Sequence, residues 1–182
     1  MLMETVTADT NSSGSVMADW NTLPHGIAAS AILPCCGSQA WAEALAGRRP
    51  VADEASLLAL SDEVWRGLPR EAWQQAFDSQ PRLGERHAKA ATATSLSWSS
   101  QEQSQLTQAK AEPAEALREA NLRYEQRFGR IFILCASGRT APEILAALEA
   151  RLANEDEAEW LEAGEQQRQI TQLRLKRWLG GT

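Results

Sequence analysis

The stretch Ser56-Leu57-Leu58-Ala59-Leu60-Ser61-Asp62-Glu63-Val64-Trp65-Arg66-Gly67-Leu68-Pro69-Arg70-Glu71-Ala72-Trp73-Gln74-Gln75-Ala76-Phe77 decides the fold class. Leu57, Leu58, Val64 and Trp65 recur with the 3.6-residue period of a helix that buries one face. Gly67-Leu68-Pro69 ends that helix, since proline cannot extend a helix interior. The same proline suits the first turn of the next helix, where a backbone N–H has no partner to lose. Trp73, Ala76 and Phe77 then supply the second helix with its own apolar face. Two amphipathic helices joined by a short Gly/Pro turn set the expectation for the rest of the chain.

Working outward, the pattern repeats. Ile27, Ala28, Ala31 and Ile32 form a stripe that Pro34 is expected to end, and His25, between Pro24 and Gly26, reads as the residue that opens it. Ser38 is placed to cap a short helix carrying Trp41, Ala42 and Leu45, closed by Gly47. Downstream, Leu117, Ala120, Asn121, Tyr124 and Phe128 share a helical face that stops at Gly129. Ile131 to Ala136 is a short apolar run whose period does not distinguish strand from helix. Pro142 starts another helix, with Ile144, Leu145, Leu148 and Leu152 inward. A last helix has acids at its start and bases at its end, an order that complements the helix dipole. Its Leu161, Ile170, Leu173 and Trp178 are expected to dock on the core, with the acidic tract from Glu155 forming a solvated face. The fold class expected is all-α, a single compact multi-helix domain over residues 17–182. Residues 1–16, rich in Thr, Ser, Asp and Gly, read as a disordered N-terminal extension or an appended remnant.

Bulk properties narrow the function. A chain of 182 residues with 43% apolar and 23% charged residues suits one soluble globular domain with a sizeable core. A net charge of −6 and an isoelectric point near 5.0 argue against nucleic acid, which selects a basic stripe. No apolar run approaches the roughly 20 residues that span a bilayer, and no basic stretch followed by an apolar one marks a signal peptide. Three cysteines, two of them adjacent, make no disulfide framework. These features predict a cytoplasmic protein. Two isolated histidines argue against zinc, and the tryptophans read as core or interface anchors.

Two polar stretches stand apart from this scaffold. Gln80-Pro81-Arg82-Leu83-Gly84 is a corner with a fixed backbone angle at Pro81. Ser99-Ser100-Gln101-Glu102-Gln103 puts Ser99, Glu102 and Gln103 on one face of a helical turn. A corner beside a carboxylate and a carboxamide can bind a small polyamide ring, with one acid available for chemistry. Each stretch also has a plainer reading. Pro and Gly mark turns everywhere, and Ser99 with Glu102 makes a capping box; the two roles are compatible. His87 reads as a solvent-facing loop residue, and Cys35 and Cys36 as small buried side chains.

Taken with Phe128-Gly129-x-x-Phe132-Ile133-Leu134-Cys135-Ala136, Ser137-Gly138-Arg139-Thr140, Arg151-Leu152-x-Asn154 and Leu173-Arg174-Leu175, these pieces resemble a known family. It is that of the 2-oxo-4-hydroxy-4-carboxy-5-ureidoimidazoline (OHCU) decarboxylases of urate breakdown. The resemblance runs from about Leu23 to Leu179 and rests on the order and spacing of the pieces. It implies a compact, mostly helical domain, a homodimer without cofactor, that takes OHCU, releases carbon dioxide and leaves (S)-allantoin. Substrate contacts are implied at Pro81, at Ser99, Ser100, Gln101, Glu102 and Gln103, and at Phe132, Ile133, Leu134, Cys135 and Ala136. The family's proton-donating histidine falls on Gln80, and Glu102 is the acid expected to accept the substrate hydroxyl's hydrogen bond.

Glutamine keeps a donor and an acceptor but does not titrate near neutrality. The expectation is therefore a chain that binds OHCU-like ligands and decarboxylates them poorly. The alternative, from a different class, is a non-catalytic helical module that binds a ureide or a partner protein of the pathway.

Overall fold

The computed structural model describes residues 10–83, 98 and 111–180. Among them the regular structure is helical throughout: α1 (Thr10–Thr22), α2 (His25–Cys36), α3 (Gln39–Ala46), α4 (Glu54–Arg66), α5 (Arg70–Asp78), α6 (Ala111–Phe128), α7 (Ala141–Arg151) and α8 (Asp156–Trp178). None of these is long and apolar enough to cross a membrane. The all-α expectation holds.

Local chemistry places the ends where the sequence puts them. Ser38 caps α3 by accepting the Trp41 N–H at 3.4 Å, and Asp53 caps α4 by accepting that of Ser56 at 2.7 Å. Pro69 precedes α5. Thr140 and Glu143 form a reciprocal capping box at the start of α7. Gly37 ends α2 with φ +86°, a left-handed conformation open to glycine at no steric cost. A β-carbon there would overlap the Ser79 hydroxyl, so the end of α2 and the end of α5 meet closely at this point.

Two apolar clusters form the interior. The larger joins α1 to α5 with α8 and is rich in tryptophan: Trp20, Trp41, Trp65 and Trp160 are buried. Trp65 and Trp73 stack at 4.8 Å, and Trp160 continues the stack 6.0 Å from Trp73. The smaller gathers Leu83, Leu117, Ala120, Tyr124, Phe128, Phe132, Leu134, Ala136, Ile144 and Leu148 beneath α6 and α7.

Helix α1 is anchored by buried Met17 and Trp20. Several expectations are corrected. Pro34 does not end α2, which runs through it to Cys36. Placed in the last turn, the proline removes one hydrogen bond shortly before Gly37 stops the helix anyway. Leu161 is exposed rather than docked, and Glu159, inside the acidic tract, is fully buried. Both errors share one cause. The buried face of α8 carries Glu159, Gln166, Gln167, Thr171 and Arg174 among its apolar residues, so a search for an apolar stripe misplaces it.

Residues 131–136 form neither helix nor strand pair, and their side chains alternate between the two clusters as they would in an extended chain. In such a chain alternate side chains point to opposite sides. Ile131, Ile133 and Cys135 pack with the larger cluster, and Phe132, Leu134 and Ala136 belong to the smaller. The run is continuously apolar because it threads between two cores.

Candidate active site

The corner after α5 is fixed from several sides. The Gln80 N–H donates to the Phe77 carbonyl at 3.0 Å. Its side chain is buried; Nε2 donates to Gln167 Oε1 at 3.1 Å, and Oε1 accepts from Arg174 Nη2 at 3.2 Å. Gln167, fully buried, in turn donates from Nε2 to Thr171 Oγ1 at 3.2 Å and to the Cys36 carbonyl at 3.4 Å. Arg174, also buried, donates from Nη1 to the Pro34 carbonyl at 3.4 Å. Pro81 is buried. Arg82 pairs with Glu125 on α6, and the Leu83 carbonyl accepts from Asn121 Nδ2 at 3.4 Å.

The 132–136 passage is held by contacts of its own. Phe132 lies edge-on to Tyr124 at 5.2 Å, with the Arg151 guanidinium 4.4 Å from its ring centre. Arg151 Nη1 also donates to the Ile133 carbonyl at 2.6 Å. The Cys135 N–H donates to Gln166 Oε1 at 3.0 Å, and Gln166 Nε2 donates to Glu162 Oε1 at 2.9 Å. One of the main-chain donors expected to face substrate is thus engaged by a side chain of α8. Behind the passage, Glu159 accepts from Arg151, Tyr124 and Asn154. Burial, then the hydrogen bond to Glu159, raises the Tyr124 hydroxyl far above its ordinary range, so it stays protonated.

Both sets of expected residues are tied to α8. Leu83 shares a cluster with Phe132, Leu134 and Ala136, and Gln80 and Cys135 hydrogen-bond to consecutive residues of α8, Gln167 and Gln166. The third set, Ser99 to Gln103, lies outside the described residues, as does His87; Trp98, next to Ser99, is half-buried against the larger cluster.

The chemistry available at this junction is hydrogen bonding around a buried cation. A guanidinium presents a planar fork suited to a carboxylate. Burial pushes the Cys36 thiol up to about 12 and raises Cys35 as well, so neither is a nucleophile at neutral pH. Among the described residues no His/Cys/Asp/Glu group has the arrangement to hold a metal ion. Sequence reasoning missed Gln166, Gln167 and Arg174 as site-forming residues. Their signal was present: polar side chains at positions 167, 171 and 174 recur at helical spacing on a face otherwise apolar.

Comparison with known proteins gives concordant results. The family model described as OHCU decarboxylase matches residues 21–176. The uric acid degradation bifunctional protein TTL of Arabidopsis thaliana is 32% identical over 142 residues, 78% of this chain; the chain spans 44% of that protein's length. A 2-oxo-4-hydroxy-4-carboxy-5-ureidoimidazoline decarboxylase of Amia calva is 34% identical over 128 residues, 70% of this chain and 73% of the relative. A crystal structure of OHCU decarboxylase in the presence of (S)-allantoin superimposes with a TM-score of 0.70 at 29% identity, covering 81% of this chain and 96% of the other.

Proposed function

This chain belongs to the OHCU decarboxylase family, and from that premise we propose that it takes OHCU, releases carbon dioxide and yields (S)-allantoin in urate breakdown, with a low rate of proton delivery. The observation that carries this reading is that adjacent residues of α8 hold both the Gln80 corner and the 132–136 passage.

The reaction asks three things of a site. The departing carboxylate must be turned out of the ring plane, so that the electrons of its bond flow into the neighbouring imine and carbonyl. The negative charge that grows on the ring must meet preorganised donors, each worth about 3 kcal/mol of barrier. A proton must then reach the carbon on one face only. Arg174, beside Gln80, has the charge and planarity to orient a carboxylate. Main-chain N–H groups of 132–136, with Gln103, are the proposed donors to the ring and ureido oxygens, and Glu102 the proposed acceptor of the substrate hydroxyl.

Proton delivery is the weak step. Gln80 cannot release a proton near neutrality, and both ends of its carboxamide are engaged by Gln167 and Arg174. That double engagement favours a second reading, a site that binds the ureide without turning it over. Following the ultraviolet decay of freshly generated OHCU distinguishes the two. Replacing Gln80→His should speed decay by roughly 10²–10⁴-fold. The gain should fade as pH rises, because Arg174 beside the new imidazole disfavours its cationic form and lowers its pKa. A variant no faster than the parent would contradict the assignment of Gln80 to the proton-donor position. Thermal stabilisation by (S)-allantoin without turnover in either form selects the binding-only reading.

The same resemblance supports a homodimer. Scattering from the purified chain should then report twice 20.0 kDa.

A further inference from the structure

We propose that Gln166 and Gln167 are positioning residues through which α8 fixes the Cys135 amide and the Gln80 carboxamide, two of the groups proposed to face the ureide. The inference rests on the ureide-binding reading above.

The two side chains are read in opposite directions. Consecutive helical residues point about 100° apart, so neighbours in sequence reach different elements. Gln166 reaches the 132–136 passage and Gln167 reaches the corner at Gln80. A carboxamide has one accepting and one donating end, and which end faces where is decided by partners with only one capability. The Glu162 carboxylate can only accept, so it takes the Gln166 NH₂ and turns the Gln166 oxygen to the Cys135 N–H, which can only donate. The Cys36 carbonyl can only accept, so it takes the Gln167 NH₂ and turns the Gln167 oxygen to Gln80. Gln80 must then offer its NH₂ to Gln167 and its oxygen to Arg174, which can only donate.

Every carboxamide in this relay has one orientation. Gln166 is 7% exposed and Gln167 not at all, so a mispaired group there has no water to turn to. Packing alone does not ask for two carboxamides: an apolar side chain of equal length would fill the volume without the cost of burying polar atoms. What the carboxamides add is direction, at the Cys135 amide on one side and at Gln80 on the other.

The test uses the full chain with (S)-allantoin as the probe, measuring affinity by calorimetry, amide exchange at Cys135 and the thermal midpoint. Gln166→Met keeps length and removes the acceptor; it should raise the Kd about tenfold, the equivalent of one buried hydrogen bond, and speed exchange at Cys135. The paired change Glu162→Gln with Gln166→Glu exchanges carboxylate and carboxamide while conserving both contacts and the net charge. It should restore the Kd to within about threefold and restore protection at Cys135. Gln167→Met should weaken binding comparably and leave Cys135 exchange unchanged.

An unaltered Kd in both methionine variants overturns the proposal and leaves the ureide-binding reading standing. A loss that the paired change does not recover, and that follows the thermal midpoint, assigns the glutamines to stability alone and also overturns it. A parent chain that binds no (S)-allantoin removes the ureide reading, and this inference with it.

Discussion

The tryptophan-rich cluster satisfies its buried donors with neutral partners: Trp20 Nε1 on the Ala28 carbonyl at 2.9 Å, Trp41 Nε1 on Ser61 Oγ at 3.1 Å, Trp65 Nε1 on the Gly164 carbonyl at 3.0 Å. The cluster under α6 and α7 instead closes around charge, with Arg151 and Glu159 paired out of water and Tyr124 and Asn154 completing the carboxylate's partners. Neutral hydrogen bonds spread the cost of losing any one of them. A buried ion pair concentrates it, because removing one member strands the other's charge in a medium that cannot solvate it. The main chain at the junction is fastened by the second kind: Arg151, held by Glu159, is what grips the Ile133 carbonyl.

The sharpest way to break this contrast is Glu159→Leu, which leaves the Arg151 charge and the Tyr124 hydroxyl unpaired. Urea titration should show a loss of about 3–5 kcal/mol, and adding Arg151→Leu should cost less than the sum of the single changes. A loss near that of a neutral hydrogen bond would erase the distinction between the clusters.

On the tryptophan side the most sensitive point is steric. Gly164 lies against the Trp73 ring, which a β-carbon would overlap. Gly164→Ala should cost about 1–3 kcal/mol as the indole shifts, with a change in the near-ultraviolet dichroism of the Trp65–Trp73 stack. An unchanged spectrum would mean that the stack has room to yield. Next in size, Ser61→Ala removes the acceptor of the Trp41 Nε1 hydrogen bond with little change in volume and should cost about 1 kcal/mol by chemical denaturation.

The smallest effect lies on the surface of α8. A hydrogen bond from Arg168 holds the Glu165 carboxyl down at about 2, below its ordinary value of 4.5. A depressed folded-state pKa contributes stability that is present above the unfolded value and lost as pH falls through the folded one. Because the Glu165 side chain is 43% exposed, solvent screens the pair and its contribution should stay below about 1 kcal/mol. The thermal midpoints of the parent and Glu165→Gln should therefore differ slightly at neutral pH and converge as pH falls toward 2.

Periodicity made the helices legible wherever the buried face is apolar. Leu57, Val64 and Trp65 on α4 and Leu117, Ala120 and Tyr124 on α6 are buried as their spacing requires. It failed on α8, where buried Glu159, Gln167 and Arg174 look like a wet surface until their partners are known. Gln80 and the Pro34 carbonyl lie far away along the chain, so no local window contains them, and Arg151, eight residues before Glu159, sits on the preceding helix. The Ile131–Ala136 run showed its burial but not its conformation, since a segment between two cores loses the alternation that marks a one-sided strand. Of the candidate site, the corner and the passage were legible through ordered motifs. On the helix that joins them, Leu173-Arg174-Leu175 was among those motifs, but Gln166 and Gln167 were not.

Gly37 has a reach that its position conceals. Its missing side chain is what lets Ser79 settle against the end of α2, and Ser79 is joined by a single peptide bond to Gln80. Any bulkier residue at 37 must displace that serine, and the displacement is passed on to the amide that faces Gln167 and Arg174. Randomising residue 37 should therefore disturb the Gln80 carboxamide and its partners on α8 as directly as randomising residue 80.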